Sequence, residues 1–239
     1  MDPHQLGRQV CLVLVQSDGA LDYGYVMGHF ALSMLILLAA TALAWRASHE
    51  PPELLARANG HARSLAGGDR TLTLAVRALA MLGALAIFAG TAATAAGPHA
   101  GGSPGQRINR LSFDGRATMD FVIHRHGEIA LAFGVAALAV WWLARIRRAD
   151  VRVRRSLTLL CLLLALQGAV GLDQYETHLP TQLVWVHVAL ACGAWLAALF
   201  AACAAGRLAP RGSMRAGERA LAGELRGRDL PLGGPSPGR

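Results

Sequence analysis

Of the nine histidines in these 239 residues, three positions fall inside long apolar stretches: His29, His124 or His126, and His187. An imidazole inside an apolar helix costs free energy unless something uses it. Two imidazoles on facing helices at matched depth are the ligand set of a six-coordinate b-type haem, with the porphyrin between the helices. His187 lies seven residues inside Pro180, and His29 seven inside Asp22. At about 1.5 Å per residue both sit roughly 10 Å into a membrane. The two candidates on the third stretch are about 200° apart around a helix, so only one can face a bundle interior. His126 is the deeper and leads into Ile129, Ala130 and Phe133, which makes it the preferred ligand. His124, beside Asp120 and Arg125, is the alternative and stays near the interface. The competing reading of each is a hydrogen-bonded structural histidine.

The spacing around these residues repeats. Gln167 precedes His187 by twenty positions, across an apolar run and a short polar turn ending in Pro180. Gln9 precedes His29 by the same twenty, across Ser17, Asp18 and Gly19. The coincidence marks an internal repeat. A further imidazole, His99, stands in Gly97-Pro98-His99-Ala100-Gly101-Gly102, a tight turn at a membrane surface, as a loop residue or a cofactor contact. His4, His49, His61 and His178 read as surface groups.

The elements that position these residues follow from composition. Only 16% of the chain is charged and 54% is hydrophobic, against about 25% charged for a soluble domain. The apolar residues gather near 23–45, 71–96, 129–144, 156–172 and 181–205. Each run is about long enough to cross roughly 30 Å of hydrocarbon as a helix, the fourth being rather short. The expected fold is all-α: a polytopic membrane helical bundle with one complete four-helix bundle and a partial, pseudo-symmetric second one. The divisions are 1–46, a partial N-terminal half-bundle; 47–70, a cytoplasmic connector; 71–206, the four-helix bundle; and 207–239, a disordered basic cytoplasmic tail. Residues 9–16 are too few to span, and the repeat reads them as the end of a helix whose beginning lies upstream.

The net charge of +8 carries no lysine. Arginines crowd 57–70, 145–155 and 207–228, and are absent from 173–180. By the positive-inside rule the first three segments are cytoplasmic, which sets the topology and makes a nucleic-acid partner an unneeded explanation; membrane lipid is the expected surrounding. The cysteines at 11, 161, 192 and 203 stand singly in apolar runs and read as small packing residues. Trp45, Trp141, Trp142 and Trp185 read as interfacial anchors.

Taken together, Gly90-Thr91 with Gly97-Pro98-His99-Ala100-Gly101-Gly102, Gln167 to Gly171 through Leu179-Pro180 to His187, and His29-Phe30 through Ser33-Met34 resemble the haem A synthase family of cytochrome oxidase assembly proteins. The resemblance covers about residues 7–206. It implies eight helices in two pseudo-symmetric bundles, of which this chain matches an N-terminally shortened form: no counterpart of the family's first two helices, with their histidine and glutamate, is found. It implies a haem b held by His126 (or His124) and His187, with His99 near it, in the C-terminal bundle. The substrate haem O would be bound in the N-terminal half with His29 at its iron. The implied reaction oxidises the haem O C8 methyl to a formyl group by successive hydroxylation and loss of water. Candidate partners are a haem O synthase, an electron donor and further copies of the chain. The alternative is a non-catalytic b-type membrane cytochrome or haem-binding assembly factor.

Overall fold

A computed structural model describes residues 20–49, 69–98 and 107–206. Five helices carry the fold: α1 (Tyr23–His49), α2 (Arg70–Ala96), α3 (Ala117–Ile146), α4 (Val151–Glu176) and α5 (Thr181–Ala204). They are 24 to 30 residues long, and each is long and apolar enough to cross a membrane. The chain is a polytopic membrane helical bundle. Helices α2 to α5 run up and down, each packed on its sequence neighbour, and α5 closes the ring against α2. Helix α1 lies against α2 and α5. The four ring helices span Arg70 to Ala204, and α1 packs against two of them. Leu32, Leu35, Ile36, Leu43, Leu159 and Leu162 are exposed on the outer surface, as a surface bathed in lipid chains requires.

Helix ends extend past the apolar runs. The run at 156–172 becomes α4 from Val151, because the Asp150 carboxylate accepts from Arg152 N and starts the helix before the arginines. Arginine is a good helix former, so Arg152, Arg154 and Arg155 continue the helix outside the apolar part instead of forming a connector. The Thr118 side chain organises the start of α3: its hydroxyl oxygen accepts from Phe113 N (3.0 Å) and Asp114 N (2.8 Å). The polar loop before it contains an unexpected pairing. Strand β1 (Ala20–Asp22) and strand β2 (Arg107–Asn109) run parallel, with Leu21 opposite Ile108.

The main hydrophobic core lies in one half of the bundle. Leu72, Val76, Leu79, Ala137, Leu157, Leu160 and Ala201 form the core with their neighbours. All lie toward the arginine-rich end, where the helix starts of α2 and α4 meet the ends of α3 and α5. Polar ties close that end. Thr73 Oγ1 donates to Ala205 O at 2.8 Å, and Arg77 to Gly206 O at 3.2 Å, supplying partners for carbonyls at the end of α5. Asp69 accepts from Thr71 N and Leu72 N and pairs with Arg147 at 2.8 Å. Association of apolar helices in lipid rests on close packing and such bonds, because lipid solvates leucine as well as protein does.

The other half is hollow. Phe133, 5% exposed, lies over Gly83, where a Cβ would stand 2.8 Å from its Cζ. That ring is the floor between the packed and open halves.

Candidate functional site

Above Phe133 lies a cavity of about 940 Å³ lined by all five helices, near the upper end of the 300–1,000 Å³ usual for ligand sites. Its walls are mainly apolar, and Phe30 and Met34 of α1 close one side. A bond from Trp195 Nε1 to Met34 O (3.1 Å) and the edge contact of Trp45 with Phe200 (6.4 Å between centroids) hold α1 there. Trp195 is buried in mid-helix, where an interfacial anchor cannot sit; its role as the tie to α1 is visible only in the packing.

Two of the predicted histidines meet in this cavity. His126 of α3 and His187 of α5 stand with ring centroids 6.1 Å apart and planes at 77°. His126 Nδ1 donates to Ala86 O at 3.1 Å. A carbonyl only accepts, so Nδ1 carries the proton and Nε2 keeps its lone pair. One turn further along α2, Gly90 makes room for this ring: a Cβ there would stand 3.0 Å from His126 Cε1. Gly171 does the same for the second ring, its would-be Cβ 3.3 Å from His187 Cε1. Each imidazole thus rests against a glycine of a neighbouring helix, α2 for one and α4 for the other. His187 Nδ1 is buried without a hydrogen-bond partner, as is Gln167 Oε1 on the cavity wall.

The other candidates lie elsewhere. His124 is exposed at the cavity mouth, its Nδ1 bonded to Asp120 O at 2.7 Å and its ring edge-on to Tyr175. That bond engages its Nδ1 with the local helix carbonyl. His29 is exposed on α1 and is absent from the cavity lining. Helix α1 runs parallel to α5, in contact through Met34–Trp195 and Trp45–Phe200. His178 is exposed in the α4–α5 turn. His99 and Gln9 lie outside the described residues, as do Cys11 and most of the connector and tail. Cys161 and Cys192 border the cavity. Glu128, at the rim, pairs with Arg125 at 2.7 Å.

The donor set restricts what the cavity can hold. Among the described residues no group of three or more His, Cys, Asp or Glu side chains is placed to bind a bare metal ion. Two imidazoles alone suit a metal that brings its own equatorial ligands. Two imidazoles on one iron, at about 2 Å per metal–nitrogen bond as in other imidazole sites, have centroids about 6 Å apart. The observed 6.1 Å, the glycine cradles, the free Nε2 of His126 and the apolar walls all fit a haem between these rings. The Thr91 and Thr94 hydroxyls on the wall are turned back onto their own helix, donating to Phe88 O and Gly90 O, which leaves that wall apolar. No family model, curated protein or solved structure matches this chain.

Proposed function

We propose that this chain is a haem A synthase-type membrane oxidoreductase, converting haem O to haem A for cytochrome oxidase assembly. The observation that supports it most is the His126–His187 pair at axial-ligand spacing, each ring on a glycine, with no cluster of three or more His, Cys, Asp or Glu ligands among the described residues. His126 and His187 are the residues that would hold a haem b, and the bound group supplies one-electron transfer. The protein's share is positioning: Ala86 O fixes the His126 tautomer, Phe133 sets the depth of the site, and the apolar wall excludes water. In this reading His29, exposed on α1 and outside the cavity, serves the substrate haem. The chain then sits in the plasma membrane with its arginine-rich end, including the tail, in the cytoplasm.

A second reading is favoured by one observation: His29 has no other histidine beside it among the described residues. A b-type cytochrome or haem-holding assembly factor needs only the His126–His187 cavity. The experiment is to purify the full chain from membranes and record its haem spectrum and its conversion of haem O. The enzyme reading expects a low-spin haem b, lost or made high-spin by His126→Ala and by His187→Ala and retained in His124→Ala, together with haem A as product. A normal haem b spectrum without product selects the second reading. An unchanged spectrum in His187→Ala would sink both.

A further inference from the structure

The two buried polar atoms left unpartnered in the cavity are complementary. An imidazole Nδ1 can donate and a carboxamide oxygen can only accept, and these are His187 Nδ1 and Gln167 Oε1. Buried groups of this kind are costly when left unpaired. His126 has its acceptor in Ala86 O; among the described residues His187 has none.

Placement on α4 supplies the rest. Gln167 and Gly171 are four residues apart, so they share one helix face. Gly171 has no side chain, and the His187 ring occupies that space, its Cε1 3.3 Å and its Nδ1 3.7 Å from where a Cβ would be. The imidazole edge carrying Nδ1 therefore stands where the side chain at i+4 from Gln167 would stand. Glutamine is known to hydrogen-bond side chains at that position on a helix.

We propose that Gln167 is the positioning residue for His187: its Oε1 accepts from His187 Nδ1–H across the gap left by Gly171. The bond fixes the tautomer in which His187 Nε2 is unprotonated and faces the cavity, matching what Ala86 O does for His126. A ligand imidazole whose other nitrogen donates is also more basic and rotationally fixed. The role rests on reading His187 as an iron ligand, while the bond itself does not. It also gives a reason for the glutamine that precedes His187 by twenty residues: the hairpin returns α5 so that the histidine lands one turn beyond it.

The test uses the full chain in detergent micelles, without and with added haem b. Without haem, nitrogen NMR of labelled histidine should show His187 as the Nδ1–H tautomer. Gln167→Leu, close in volume and suited to an apolar wall, should give a tautomer mixture, and Gln167→Glu should restore Nδ1–H. With haem, Gln167→Leu should keep a low-spin spectrum but bind about tenfold more weakly, with a higher midpoint potential because the less basic imidazole favours ferric iron less. Gln167→Glu should shift the potential the other way. Identical tautomers in wild type and Gln167→Leu would overturn the bond. Altered tautomers with unchanged haem affinity and potential would overturn the positioning role. Absence of haem binding by the wild type would overturn that role through its premise and the haem reading with it, leaving the tautomer result to report on the bond alone.

Discussion

Gly90→Ala isolates the fit between helix and imidazole, because two opposing effects of known size meet at one methyl group. Replacing glycine by alanine inside a helix contributes about 0.5–1 kcal/mol of stability through the backbone. At Gly90 the new Cβ would stand 3.0 Å from His126 Cε1, against about 3.5–4.0 Å for an ordinary carbon contact. The ring must retreat by about 0.5 Å. Ala86 lies one turn back on the same helix, so a retreat directed away from α2 weakens or breaks the 3.1 Å bond from His126 Nδ1 to Ala86 O. Overpacking costs about 1–3 kcal/mol and the lost bond about 1–3 kcal/mol more. Loss outweighs gain: the variant should be less stable by at least about 1 kcal/mol. Its haem affinity should fall about tenfold, since a displaced ligand with no fixed tautomer binds more weakly. Gly28→Ala, on α1 with nothing within 4 Å of the new carbon, is the control and should be neutral or slightly stabilising. Thermal unfolding in micelles and haem titration read both quantities. If the two variants behave alike in both assays, the glycine-cradle reasoning is refuted.

Three further outcomes test how the helices are held. Trp195→Phe keeps most of the ring but removes the bond to Met34 O, and should cost about 1 kcal/mol; faster proteolysis within α1, with α2 to α5 intact, would show that the tie is local. Asp69→Ala should cost about 1 kcal/mol through the lost cap of α2. Arg147→Ala, which removes only the half-exposed side of their ion pair, should cost less than Asp69→Ala, and equal losses in thermal unfolding would show that the pair, not the cap, dominates. Thr73→Val leaves Ala205 O without its buried donor at 2.8 Å and should cost about 1–3 kcal/mol. An unfolding temperature equal to that of wild type would mean that water or lipid headgroups replace the hydroxyl.

The helices themselves were legible in the sequence, since hydrocarbon length and backbone satisfaction leave few ways to bury five long apolar runs. Their ends were less so. Hydropathy reports the part that crosses, whereas Asp150, Thr118 and Asp69 set where helices begin through hydrogen bonds that hydropathy ignores. His126 and His187 could be picked out because an imidazole is costly among leucines. The choice between His124 and His126 was a matter of helix phase, and phase becomes a contact only once α2 presents Ala86 O and Gly90 to one of them.

Sequence by itself thus determined the class of fold, the crossing segments and the histidine spacing, because these depend on local composition and a fixed helical rise. Tertiary structure alone decided which imidazoles face each other, which glycines make room for them, and that one half of the bundle is hollow. It also decided that Trp195 is a tie to α1 and that Gln167 lies on the helix face against which the His187 ring packs. Those facts depend on how α2, α3, α4 and α5 are rotated about their axes. Helices that are apolar all round carry no stripe in the sequence to fix that rotation. Close packing of small residues and a few buried hydrogen bonds fix it instead.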